Sequence, residues 1–177
     1  MEFSKVISER RSIRKYDATK KVTRVQIEEM VKAAQCAPSW KNQQTSKYYV
    51  ALSEEKLNEV RAALPSYNQN NTAGAAAYIV TTFVPNNVGF ADGNPINEPG
   101  NGWGYYDLGL QNMNLLNKAY ELGLGTLVMG LRDAKGLRKA LNIPANELIV
   151  AVLGVGYADI APQAPKRKEL DEILSVQ

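Results

Sequence analysis

The sequence predicts an α+β fold in which a sheet packs against helices. Four segments have the residue types of strands, and five segments repeat apolar residues at helical spacing. The longest of these helices covers residues 103–122 and is apolar on more than one face, so we expect it in the middle of the domain or across a subunit interface. With 177 residues the chain is long enough for a proper core, and we expect a single domain over residues 1–177.

In the first half of the chain, polar residues and prolines mark where the predicted helices begin and end. The pattern Thr23-Arg24-Val25-Gln26 has the form of a capping box, and Pro38 disfavours helical backbone in the residue before it. Ser53 is suited to cap the next helix, which Pro65 stops. The predicted elements are helices over residues 2–9, 24–37 and 54–64 and strands over residues 47–52 and 75–84.

In the second half of the chain, a long polar connection separates the remaining helices and strands from the first half. Residues 85–102 are rich in Asn, Gly and Pro, and we expect them to form a lid or interface loop without regular structure. Residues 38–46 and 66–72, further upstream, are predicted as amide-rich loops. The predicted elements are helices over residues 103–122, closed by Gly123, and 133–141, capped by Asp133, and strands over residues 125–130 and 148–157.

The residue types that are missing exclude several classes of protein. There is no histidine, which excludes nucleophiles of the Ser-His and Cys-His types and most zinc and haem sites. The single cysteine, Cys36, excludes an internal disulfide. The net charge of +3 is too weak to indicate nucleic-acid binding, and no apolar run has the length of a signal or a membrane span. We therefore expect a cytoplasmic protein without metal, membrane or nucleic-acid partners, and a cofactor if it is an enzyme.

The glycines of the second half do not form a known phosphate-binding motif. Gly123-Leu124-Gly125 lacks the third glycine at dinucleotide-binding spacing, and it lies between a helix and a strand in the reverse of the required order. Gly154-Val155-Gly156 is followed by Pro162 and Pro165 where a helix should start.

Several segments together nevertheless suit a ligand with a phosphate, a polyol and a flat heteroaromatic ring. Two basic clusters, residues 10–14 and 166–168, could bind the phosphate, and the amide-rich loops could bind hydroxyls and ring edges. The glycine-bracketed run 125–130 could place backbone N–H groups beside the ring. Each feature also has a structural interpretation, and for residues 10–14 alone a solvated basic loop is the simpler one.

The order of these motifs resembles the nitroreductase family of FMN flavoproteins over nearly the whole chain. The motifs that carry the resemblance are Arg-Arg-Ser-Ile-Arg-Lys-Tyr at 10–16, Ala37-Pro38-Ser39 with Asn42 and Gln44, Gly123 to Thr126, Gly-x-Gly-Tyr at 154–157 and Pro-Lys-Arg-Lys at 165–168. The resemblance implies a central, mainly antiparallel sheet flanked by helices, and an intertwined homodimer with FMN at the subunit interface. It also implies ping-pong hydride transfer from NADH or NADPH through FMN to a nitroaromatic, quinone or similar acceptor.

The resemblance further implies which residues bind FMN, and it assigns no side chain as a catalytic acid or base. The phosphate and ribityl chain would be held by Arg10, Arg11, Ser12 and Arg14, with a second clamp among Lys166, Arg167 and Lys168. The partner subunit would contribute Pro38, Ser39, Trp40 and Asn42. The pyrimidine edge or ribityl would contact Asn68 and Asn71, and the ring would lie beside Leu127, Val128, Met129 and Gly130.

Because of two departures from the family pattern, the resemblance does not predict the shape of the substrate pocket. Trp40 stands where the family usually has a small residue, and Thr45 replaces a usual proline. Trp40 could pack on the ring, narrow access to it, or pack in the dimer interface. The alternative function is a flavin- or nucleotide-binding sensor of the same fold without nicotinamide-driven turnover. An RNA or acidic-partner binder is less favoured, because no aromatic residue interleaves either basic cluster at readout spacing.

Overall fold

The computed structural model describes residues 2–177 and has the predicted α+β architecture. The helices of the described residues are α1 (Phe3–Glu9), α2 (Arg24–Gln35), α3 (Glu54–Ala62), α4 (Ser66–Asn71), α5 (Gly102–Glu121) and α6 (Ala134–Leu141). The strands are β1 (Ser46–Ala51), β2 (Ala77–Phe83), β3 (Phe90–Ala91), β4 (Asn94–Pro95), β5 (Gly125–Met129) and β6 (Leu148–Gly156). Short 3-10 helices cover Trp40–Asn42 and Leu170–Glu172.

The central sheet has the strand order β1-β2-β6-β5, and all three pairings are antiparallel. Strand β2 is buried throughout, and its side chains alternate between the two faces. Tyr78 and Val80 pack with α3 and α6 on one face, whereas Ile79 packs with α2 and α5 on the other. The sheet is therefore covered by helices on both faces, and β1 and β5 are its edges.

Local sequence signals set the ends of several helices, as predicted. Thr23 and Gln26 form both halves of the capping box at the start of α2. The Ser53 hydroxyl accepts a hydrogen bond from the Lys56 backbone N–H at 3.3 Å, which caps α3. Asn142 ends α6 in a left-handed conformation with φ 52°, a conformation that Asn adopts more readily than most residues.

Two sequence predictions about irregular segments are wrong. Residues 66–72 were expected to form a loop, but α4 occupies most of them, and the side chains of Gln69 and Thr72 bond to nearby backbone. Gln69 Nε2 donates to Leu64 O at 2.7 Å, and Thr72 Oγ1 donates to Asn68 O at 2.7 Å. These local bonds offset the low helix propensity of an amide-rich segment.

The connection between β2 and α5 also contains regular structure. Strands β3 and β4 form a small hairpin around Asp92 and Gly93, whose φ angles are 49° and 78°. Positive φ at both positions is typical of the two-residue turn that Asp-Gly favours. The Asp-Gly pair was therefore a signal for a hairpin within residues 85–102. Among residues 2–177, no helix has both the length and the apolar character needed to cross a membrane.

Candidate functional site

The first basic cluster runs along the edge of the sheet beside β5. Ser12 pairs with Thr126 as an isolated parallel bridge, and the Ile13 N–H donates to Thr126 O at 2.9 Å. Ile13 is buried and packs on Gly125, where an added Cβ would lie 2.7 Å from Ile13 Cγ1. This close approach places the basic cluster directly next to the glycine-bracketed strand.

The structure also brings the two basic clusters together. Burial and the charges of Arg11 and Arg167 lower the pKa of Arg10, so the guanidinium of Arg167 lies within electrostatic range of Arg10. Lys166 instead lies 3.9 Å from the carboxylate of Glu169. Arg167 thus acts electrostatically on the first cluster.

The guanidinium groups of this site are not engaged in salt bridges among the described residues. Within residues 2–177, Arg10, Arg11, Arg14 and Arg167 form no ion pair. Arg11 Nη1 donates only to backbone carbonyls, those of Ser8 at 2.7 Å and Arg10 at 2.9 Å. Neighbouring guanidinium groups without salt-bridge partners favour an anion that carries more than one charge, such as a phosphate monoester.

Helix α4 contributes amide groups near the other end of β5. Asn68 is buried, and its Nδ2 donates to Leu131 O at 3.3 Å, just beyond the end of the strand. Asn71 lies almost one helical turn further along, and its Nδ2 is buried with no hydrogen-bond partner among the described residues. A buried donor without a partner is costly, so this amide nitrogen is suited to donate a hydrogen bond to a ligand oxygen.

The end of β5 is open on the side where a flat ring could lie. Val128 is 49% exposed, and a Cβ added at Gly130 would meet no atom within 4 Å. Leu127 and Met129, in contrast, are buried in the core. The strand therefore offers its backbone and the Val128 side chain to a ligand, while its alternate side chains anchor it in the sheet.

Arg132 belongs to this region, although the sequence did not single it out. Its guanidinium donates to Gly130 O at 2.6 Å and to Ile149 O, and its Nε is buried without a partner among residues 2–177. It fixes the backbone that follows β5. The only available sequence signal was an arginine two residues after the glycine-bracketed run.

The 38–42 segment lies far from the basic cluster within one chain. The Trp40 N–H donates to Asp107 Oδ2 at 2.9 Å on the first half of α5, whereas Tyr120 near the helix end donates its hydroxyl to Glu9 at 2.9 Å. A rise of about 1.5 Å per residue separates these two contacts by about 20 Å. A single chain therefore does not bring Pro38, Ser39, Trp40 and Asn42 to the basic cluster.

The backbone after Trp40 adopts a conformation that is unfavourable for its residue types. Lys41, Asn42 and Gln44 have φ angles of 48°, 57° and 51°. Ser39 Oγ accepts from the Gln44 N–H at 3.2 Å, and Asn42 Oδ1 accepts from Gln44 Nε2 at 3.0 Å, which hold this conformation. Left-handed backbone in non-glycine residues is concentrated at ligand clamps and active sites.

Fold and site together describe an α+β protein whose antiparallel sheet carries, at one edge, an arginine cluster suited to a phosphorylated ligand. The sequence model of the nitroreductase family matches residues 7–157, and the chain belongs to this family. The resemblance and the fold predicted from the sequence are thereby confirmed.

Known relatives agree with this assignment. A protein of Archaeoglobus fulgidus, provisionally named NADH dehydrogenase/NAD(P)H nitroreductase, is 31% identical over 160 residues, which cover 88% of this chain and 85% of that protein. A provisionally named nitroreductase of Exiguobacterium sibiricum, solved in complex with FMN, is similar in structure with a TM-score of 0.86 at 22% identity, covering 100% of this chain and 98% of that one. An FMN- and NADPH-dependent nitroreductase variant derived from Sphigopyxis sp. strain HMH gives 0.81 at 18% identity, covering 100% and 99%.

Proposed function

We propose that this protein is an FMN-dependent NAD(P)H oxidoreductase that passes electrons to a nitroaromatic, a quinone or a similar acceptor. The observation that carries the proposal is the arginine cluster without salt bridges among the described residues at one end of β5, together with an open strand end and an unpartnered buried amide near the other end. Membership in the nitroreductase family supports it, as do the FMN complex of the Exiguobacterium sibiricum protein and the FMN and NADPH dependence of the Sphigopyxis protein.

The arginines would bind and orient the phosphate of FMN. Arg10 and Arg11 approach from the turn after α1, and Arg167 approaches from the tail. Ser12 and Arg14 would contact the ribityl chain or the phosphate, because they flank the residue that is fixed to β5. Charge-assisted hydrogen bonds from these groups would supply most of the affinity for the cofactor.

The flat part of the cofactor would lie along the end of β5. Asn71 Nδ2 would donate to a ring or ribityl oxygen, and Asn68 would hold the strand end through Leu131 O. Arg132 is a second positioning residue, because it holds Gly130 O and places positive charge near the ring, where it would favour the reduced, anionic flavin.

A second copy of the chain would complete the site. The 38–42 segment can reach a cofactor bound at the basic cluster only from a partner, given the separation of about 20 Å along α5. The tail is consistent with an intertwined homodimer, because large apolar side chains in it are more than half exposed in one chain. These side chains are Leu170, Ile173, Leu174 and Val176.

FMN, when bound, would accept a hydride from NADH or NADPH and pass electrons to the acceptor. The chain itself would bind, orient and exclude water, and we assign it no general acid or base. Protons for the acceptor would come from water. We place this single-domain enzyme in the cytoplasm.

The test is an absorption spectrum of the purified protein followed by anaerobic addition of each nicotinamide. We expect a yellow protein whose flavin absorbance is bleached by NADH or NADPH and restored by menadione. A protein that neither contains FMN nor takes it up would refute the proposal. Bound flavin that neither nicotinamide reduces would instead favour a flavin-binding sensor without turnover.

A further inference from the structure

Three aromatic side chains meet where the 38–42 segment contacts α5. The ring centroids of Trp40 and Trp103 are 4.7 Å apart at an interplanar angle of 50°, and those of Trp103 and Tyr106 are 5.8 Å apart at 75°. We call Trp40, Trp103 and Tyr106 the aromatic corner. Its rings are inclined to each other, so together they offer both faces and edges to another ring.

The aromatic corner is held in place by buried polar contacts. Asp107 is only 3% exposed, and its carboxylate accepts the Trp40 N–H. Trp103 Nε1 donates to Asn97 Oδ1 at 2.7 Å, and a Cβ added at Gly89 would lie 2.5 Å from Trp103 Cδ1. Through the contact of Trp40 with Trp103, the aromatic corner links the 38–44 segment to the connection between β2 and α5.

The corner is also accessible, since Tyr106 is 59% exposed and both tryptophans are only partly buried. An exposed tyrosine beside two partly exposed tryptophans forms an apolar surface patch, and patches of this kind are found at binding sites. The strained segment beside it carries Ser39 and Asn42, which we have placed at the cofactor of the partner copy.

We propose that the aromatic corner is the surface that selects the electron acceptor, by packing against the flat ring of an aromatic acceptor. Trp40 and Tyr106 are the specificity-determining residues, and Asp107 is a positioning residue that acts through Trp40. This inference rests on the proposed function, because it requires the 38–42 segment to lie beside FMN bound in a second copy.

The test compares an aromatic with a non-aromatic acceptor on the FMN-loaded protein. In Trp40→Leu and Tyr106→Leu, the KM for menadione should rise about threefold to tenfold relative to the KM for ferricyanide, as expected for the loss of one ring–ring contact. Trp40→Phe should restore most of the preference. Tyr105→Leu is the matched control, because Tyr105 is also exposed on α5 but packs on Phe83 outside the corner.

A binding measurement provides a second readout that does not require turnover. Calorimetric titration of the oxidised protein with menadione, without a nicotinamide, should give a dissociation constant that rises by a similar factor in both leucine variants. Asp107→Ala should weaken menadione binding in the same way. Asp107→Asn should weaken it less, because the asparagine keeps an acceptor for the Trp40 N–H.

The outcomes separate this inference from the proposed function. Three outcomes in Trp40→Leu would show that Trp40 only packs in an interface. They are an equal rise in KM for menadione and ferricyanide, dissociation of a dimer, and loss of flavin. An unchanged menadione preference in both leucine variants would overturn the inference while leaving the enzyme intact. Failure of the unsubstituted protein to bind or reduce FMN would overturn the proposed function, and the inference with it.

Discussion

Arg10→Gln should have opposite effects on the stability of the cofactor-free protein and on its affinity for FMN. Burial, and after it the like charges of Arg11 and Arg167, lower the pKa of Arg10, so the folded protein holds this charge at a cost. Arginine remains protonated at every working pH, and the cost is therefore always present. Glutamine keeps much of the side-chain stem and removes the charge.

The magnitudes follow from the kind of contact that is lost. Loss of a charge-assisted hydrogen bond to the phosphate should cost about 1.5–3 kcal/mol of binding free energy, which corresponds to a dissociation constant roughly tenfold to 150-fold higher. Relief of repulsion between partly exposed cations should raise the free energy of unfolding of the apoprotein by about 0.3–0.5 kcal/mol. Both changes should shrink at high salt.

The assay pairs two titrations of the same preparation. Quenching of FMN fluorescence gives the dissociation constant, and urea unfolding of the apoprotein gives the free energy of unfolding. Lys47→Gln serves as the control, since it removes one charge from an exposed position on β1. Unchanged FMN affinity in Arg10→Gln, or an apoprotein that is destabilised, would contradict our account of the cluster.

Two further predictions concern stability. Gly74→Ala should lower the free energy of unfolding, measured by urea titration, by about 1–3 kcal/mol, because the added Cβ would lie 2.5 Å from the backbone oxygen of Tyr16. A variant as stable as the original protein would contradict this close approach. Asp107→Asn should be the more stable protein at pH 7, because burial raises the pKa of the Asp107 carboxyl in the folded state and thus penalises its charged form. The difference in free energy of unfolding between the two proteins should shrink as the pH falls through the raised pKa, and it should vanish below about 3.9, the pKa of an unperturbed Asp. A difference that grows in acid would refute the explanation.

Elements defined by local signals could be predicted from the sequence. The capping box of Thr23 and Gln26 and the strand predicted over residues 75–84 depend on neighbours within a few residues, and the structure confirms both. Helix α4 could not be predicted in this way, because the hydrogen bond from the Gln69 amide to Leu64 O, which compensates for low helix propensity, forms only in the folded backbone. The β3–β4 hairpin was signalled by Asp92-Gly93 but was hidden by the overall composition of its segment.

The candidate site depends on contacts between segments that are distant in the chain, and the sequence predicts such contacts less well than local structure. The sequence offered three basic residues near the tail and no way to choose among them. In the structure Arg167 acts electrostatically on Arg10, and Lys166 lies 3.9 Å from Glu169. Arg132 was overlooked because its role, holding the backbone of Gly130 and Ile149, requires two strands to be neighbours in space.

Helix α5 relates the two halves of the proposed site to each other. One end of it holds Trp40 through Asp107, and the other end contacts Glu9, next to the basic cluster, through Tyr120. In the proposed homodimer, antiparallel α5 helices would bring the Asp107 end of one copy to the Tyr120 end of the other, and both sites would be completed at once. Within one chain α5 keeps these two ends about 20 Å apart, so the aromatic corner could act only on a cofactor bound to the basic cluster of the other copy.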